Sequence, residues 1–507
     1  MVHSSHDEVD VECAADNNDD GSARQLHSLN RGEMYDAARK DCNASRARFP
    51  SPPHVASSAA IHALPSELIE HILAFGDPVD VVSPFSQTCR AYHALVAADS
   101  HLWRTLYLLQ ELDDPRRCLT PLGRPYFASA FHSSQAFPWA TQLKRIMRAR
   151  AVCAKIEIAR PGEMRAVLET LLELVSNVPP AHPGDSSALS LNLIWVAATL
   201  TRSDLLDADA DKLGLSREEE ALRARLHTCY GVTDADRTPA ARVASRGRVY
   251  SMRNYTFENA FGPFVPLPDP ELFGDQNASG RAGRESEPGL GVDWEHMQAL
   301  HHVMSMHVVD LREEDEVVYV VFPLSMPYCQ SVIPRGMDLD VERDWAGVEG
   351  VWHVAFAFCD HRELLVYNNF SVDAGPLDTS IFEEPDFMEA FRSFHVAMRI
   401  LGTEDDPQHP GRPKIKFGGD VDGHATMVGH VELGPDDHIR WSFVSGVNPD
   451  AIRFSSEGVQ VGGVRSSFGV LGAWTTTTHE LGDPVGPFWL RKVPDNELPH
   501  LLDEAER

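Results

Sequence analysis

The chain has 507 residues, too many for a single core, and about three domain-sized units is the expectation. Hydrophobic residues make up 43% and charged residues 24%, which suits globular folding, while a net charge of −30 argues against a nucleic-acid binder and gives little attraction to anionic membrane. No apolar run approaches the roughly 18–20 residues needed to cross a bilayer, and the first twenty residues carry seven acids and no Lys or Arg, the reverse of a presequence, so the cytoplasm or nucleus is the expected location.

Residues 1–58, rich in Asp, Asn, Ser and Arg without sustained periodicity, are expected to form a disordered acidic tail. The stretch AIHALPSELIEHILAFGDP (60–78) then reads as a short amphipathic helix, with Ile61, Leu64, Leu68, Ile72 and Phe75 recurring at steps of three and four. Pro65 fits a first helical position, Glu67 suits the positive end of the helix dipole, and Asp77-Pro78 ends the run. Two more short helices follow, in SPFSQTCRAYHALVAA (83–98) and DSHLWRTLYLLQ (99–110). In the latter, Ser100 suits a cap and Leu102, Trp103 and Leu106 cluster. Three short helices bury little surface by themselves, so this unit is expected to complete its core against something else.

LPSELIEHILAF…FSQTCRAYHALVAADSHLWRTLY closely resembles the F-box, in a Leu-Pro opening, an E-L-x-x-x-I-L core, a central Cys-Arg and a closing Leu-Trp-x-x-Leu. The resemblance covers about 62–108 and implies docking onto the Skp-type adaptor of a Skp–cullin–F-box (SCF) ubiquitin ligase. Carried over by position, Leu64, Pro65, Leu68, Ile72 and Leu73 would face the adaptor, with Leu102, Trp103 and Leu106 near the far edge. Several of these could instead serve the bundle's own core, Leu68 and Leu106 above all. The sequence departs from the family in GDPVDVVSPF, where many members continue with Asp-Leu, which leaves the start of the second helix open.

Four further helical stretches, at 139–156, 163–178, 188–206 and 216–231, make 111–246 a mainly helical linker domain. Lys144, Arg145, Arg148, Arg150, Lys155 and Arg160 form a basic run. With Leu143, Ile146 and Met147 inward, it reads as a solvated helix face or, alternatively, a docking strip for acidic surfaces.

The texture changes near 247. VVYVVFPL (317–324), VWHVAFAFCD (351–360), ATMVGHVEL (425–433) and IRWSFVS (439–445) are short, β-branched or aromatic, and bounded by turn residues. GPDDH (434–438) has the length of a hairpin loop. These signals predict a β-rich target-binding domain over 247–495, an antiparallel barrel or sandwich, with surface insertions at 274–289 and 402–413 and a flexible tail at 496–507. Segments between 247 and 493, among them RVYSMRNYTFENAFGPFVP and WAGVEGVWHVAFAFCDHRELLVYNN, are similar to the C-terminal region shared by a group of fungal F-box proteins. That likeness supplies no target.

The Gly-rich stretch 456–475 lacks Gly-Lys-Ser/Thr and GxGxxG, so its glycines point to turns and close strand packing. Arg465 within it could hold a carboxylate or pair with an internal acid. Trp441, Trp474 and Trp489 are either core or, with Arg465, the lining of a target pocket. His296, His301, His302 and His307 show no HExxH spacing, and the eight cysteines form no CxxC, so no metal or cofactor is expected and the thiols are taken as reduced. Asp360, His361, His479 and Asp483 lack any organising nucleophile context.

The expected architecture is α+β and multidomain: an N-terminal three-helix F-box (59–110) and helical segment, then the β-rich domain. The expected function is noncatalytic: a substrate receptor that binds the Skp-type adaptor, through it a cullin, and a protein target. The alternatives are an adaptor-bound scaffold acting outside the ligase and a small-molecule-binding β barrel that carries an F-box.

Overall fold

The computed structural model describes residues 61–98, 100–127, 137–184, 189–267, 289–309, 325–370, 375–421, 425–447 and 452–494. The expected tails, the strand at 317–324 and nearly all of the insertion at 274–289 lie outside these residues. Met1–Pro65 and Ser66–Arg507 separate as two units. Of the first, the described part is a single 3-10 turn at Ile61–Ala63 followed by Leu64 and Pro65.

Helix α1 spans Ser66–Ala74 and therefore excludes Ile61, Leu64 and Phe75 of the predicted stripe, Phe75 lying just past its end. Asp77 ends this region and caps the next turn: its carboxylate accepts hydrogen bonds from the backbone N–H of Val79 and Asp80, closing a π-helical turn over Pro78–Val82. The expected helix over 83–98 is broken. Cys89 adopts extended backbone (φ −156°, ψ 164°) between α2 (Ser83–Thr88) and α3 (Arg90–Ala98), and Phe85 stacks on Tyr92 across the break at 4.3 Å. Helix α4 covers Ser100–Leu108.

The helical layer continues with α5 (Trp139–Ala154), α6 (Met164–Ser176), α7 (Leu191–Leu200), α8 (Arg217–Tyr230), α9 (Pro239–Val249) and α10 (Trp294–Val309). Local chemistry starts three of them: Ser190 accepts from Leu193 N–H, Ser216 and Glu219 form a reciprocal capping box, and Thr238 caps α9 ahead of Pro239. Helix α10 lies inside the stretch expected to be β-rich. It packs against α8 and α9 on one side and against barrel strands on the other, so the barrel itself begins only at Gly350.

After a two-stranded ribbon, β1 (Phe264–Pro266) with β2 (Leu290–Val292), the strands are β3 (Gly350–Cys359), β4 (Glu389–Glu404), β5 (Lys414–Val421), β6 (Ala425–Leu433), β7 (Ile439–Gly446), β8 (Ile452–Gln460), β9 (Val470–Thr476) and β10 (Gly486–Lys492). Helix α11 (His361–Tyr367) follows β3. Strands β3 to β10 pair antiparallel in chain order, and β10 returns to β3 with Phe488 opposite Phe356, which closes an eight-stranded barrel rather than a sandwich.

Strand alternation sends Trp352, Phe417 and Trp441 into the lumen, their rings 5.2–5.3 Å apart around Trp441. One end is plugged by Ile333, Leu339, Trp345 and Val348. Arg412, in the connection expected to be a surface insertion, is instead buried there, its guanidinium bonded to Leu339 O, Leu122 O and Asp340.

Candidate functional site

Two surfaces stand out, one on the N-terminal helices and one at the open end of the barrel. Helix α1 is apolar on both sides. Ile69 and Leu73 are buried, whereas Leu68 (49% exposed) and Ile72 (55%) line the outer face and Phe75 (81%), just past the last helical residue, is exposed as well. Large apolar groups outward at i and i+4, with a third just past the helix end, have the form of a face awaiting a partner. Pro65 is exposed and Leu64 half-buried. Leu73, Leu102, Trp103 and Leu106, expected to face the adaptor, are core residues.

The missing core of this unit comes largely from the chain itself. Helix α4 packs on α5, with Tyr107 edge-on to Trp139 at 5.4 Å, and the Trp103 indole N–H donates to Val96 O while Lys144 Nζ sits 4.8 Å over its ring. The basic run is engaged in the same way. Arg145 pairs with Glu173, Arg148 pairs with Glu163 at 2.8 Å, and Arg150 reaches Asp77 at 3.1 Å.

At the barrel's open end the lumen widens into a cavity of about 560 Å³ walled by Phe356, Phe358, Phe394, Phe443, Phe454 and Trp474. Phe488, cross-strand from Phe356, lines the same cavity and seats its ring in a glycine notch: a Cβ at either Gly458 or Gly472 would come within 2.7 Å of Phe488 Cζ. Sequence reasoning named Trp474 and missed the phenylalanines, although VAFAFC already alternates Phe356 and Phe358 on one face.

The four residues proposed as a target pocket do not meet. Trp441 is fully buried deeper in the lumen, with its N–H on Gln460, and Trp474 lines the cavity. Trp489 faces outward, donating to Phe468 O and packing against His301 of α10 at 5.2 Å. Arg465 bonds to Asp344 O, the internal pairing weighed as one of its two roles.

The histidines of α10 serve four different neighbours: His296 meets Tyr255, His301 bonds to Ser325, His302 to Ser245, and His307 lies 2.9 Å from Glu389. Glu389 also receives Arg246 and the Tyr250 hydroxyl. Burial works to raise its pKa, but His307 and Arg246 outweigh it and hold the carboxyl at about 2. Asp360 caps α11, His361 bonds to Gly482 O, His479 stacks on Phe261, and Asp483 accepts from Thr476 and Thr478, so each has a local structural partner. Among the described residues no group of three or more His, Cys, Asp or Glu is placed to hold a metal, and no helix is long and apolar enough to cross a membrane.

Residues 61–109 match the F-box-like family model. No curated protein and no solved structure matches the chain.

Proposed function

We propose that the F-box-like domain docks this chain onto a Skp-type adaptor, and through it a cullin, making it the substrate-recognition subunit of an SCF ubiquitin ligase. The observation that carries the reading is the open row Leu68 and Ile72 on α1 with Phe75 just past its end, within the matched domain. The likeness of 247–493 to fungal F-box proteins belongs to the same reading, with the barrel as the part that engages the target.

The mechanism is proximity in the cytoplasm or nucleus. Adaptor docking at one end and target binding at the other raise the effective concentration of a target lysine near a charged ubiquitin carrier. No residue of this chain is assigned a catalytic role.

Co-purification with a Skp-type adaptor tests it. Wild type is expected to bind stoichiometrically, and Leu68→Asp with Ile72→Asp to weaken capture by more than about tenfold while melting at the wild-type temperature, since both side chains are about half exposed. Absence of wild-type capture, or capture indifferent to the double substitution, would overturn the assignment. Cullin association measured in the same pull-down separates a ligase subunit from an adaptor-bound scaffold.

A further inference from the structure

The geometry points to a second binding site, independent of the adaptor: the open end of the barrel holds a small amphipathic acid, its apolar body in the aromatic cavity and its carboxylate on Arg392. The cavity volume of about 560 Å³ lies within the range of roughly 300–1,000 Å³ typical of small-molecule pockets. Eight strands give a lumen wide enough for packed side chains or for one small guest. Here the closed half is filled by Trp352, Phe417 and Trp441 and the open half is not.

Arg392 sets the ligand's charge. It is cross-strand from Phe356 and shares strand parity with Phe394, Val396 and Met398, so it occupies an inward-facing position of β4 and lines the cavity. Its guanidinium donates to Phe391 O, and among the described residues no carboxylate pairs with it. The described residues lining the lumen around it include no acidic side chain to balance its charge. Arg392 is positioned to hold a planar anionic head at the mouth. One cation favours a monoanion, and the apolar lining favours an alkyl or aryl body over a polar one.

The test titrates the full chain with cis-parinaric acid, a fluorescent fatty acid whose emission rises in an enclosed apolar site. Saturable binding of one molecule per chain is expected, weakened about tenfold by Arg392→Ala and further by Arg392→Glu, as loss of a charge-assisted contact requires. Ser445→Trp, from the cavity wall, is expected to abolish binding. Should that variant fail to fold, Arg392→Ala at the exposed rim keeps the result readable. Leu68→Asp with Ile72→Asp is expected to bind the probe like wild type, so adaptor docking and ligand binding succeed or fail separately. Three results would each overturn the assignment: no saturable binding, binding that survives a folded Ser445→Trp, or equal affinity for the corresponding alcohol.

Discussion

Glu457 shows how one residue's surroundings make stability depend on pH. The 261–263 backbone closes over it, where a Cβ at Gly262 would lie only 2.5 Å from Glu457 Cβ, and burial pushes its carboxyl up to about 7 although the Ser442 hydroxyl donates to it. The folded pKa exceeds the unfolded one, so the associated stability is complete below about pH 4.5 and lost as pH rises through about 7. Glu457→Gln is therefore expected to match wild type in acid and to exceed it by about 1–3 kcal/mol near pH 8, as read from urea unfolding at both pH values. Glu389 has the opposite sign. Its folded pKa of about 2 is depressed, so its contribution is present above about pH 4.5 and disappears as pH falls toward 2. Glu389→Gln strips the charge that Arg246 and His307 face and is expected to cost about 3–5 kcal/mol at neutral pH. A loss below about 1 kcal/mol would mean that the cluster is not a charged one.

Among the elements, α1 and α4 have opposite fates despite similar apolar content. Leu106 is fully buried against neighbouring helices, so Leu106→Ala is expected to destabilise by about 2–5 kcal/mol, whereas Leu68→Ala should leave the denaturation midpoint nearly unchanged. The apolar spacing of 61–75 was visible in the sequence, but which of its two apolar sides would be covered was not. That depends on α4, which joins α1 in space while also docking on α5 about thirty residues further along. Strands were legible for a local reason: alternation and turn residues mark 351–360, 425–433 and 439–445, and 434–438 is indeed the β6–β7 hairpin loop. Barrel against sandwich was not legible, because closure rests on β10 pairing with β3 across more than a hundred residues. The same distance hid the cavity, whose phenylalanines come from β3, β4, β7, β8 and β10 and become one wall only when the sheet closes.

In the whole molecule, the F-box-like helices, the helical layer and the barrel belong to one compact unit beginning at Ser66. An excised 61–110 fragment would expose Leu102, Leu106 and Tyr107, which α5 normally helps to cover, and is expected to show helical far-UV but flat near-UV circular dichroism with strong dye binding. A cooperative thermal transition in that fragment would refute this. The charge of −30 was readable from composition, yet net charge did not reveal that Arg145, Arg148 and Arg150 of the basic run pair with acids of the same chain. Closure of the barrel carries one more consequence. Among the described residues most of the barrel wall is flanked on both sides, but β4 pairs with β3 over Glu389–Met398 and with β5 only over Ala397–Glu404, so backbone open to an added strand is confined to stretches such as Glu389–Val396. On the proposed reading, a target would meet the rest of this wall through side chains, and selectivity there would rest on shape and charge.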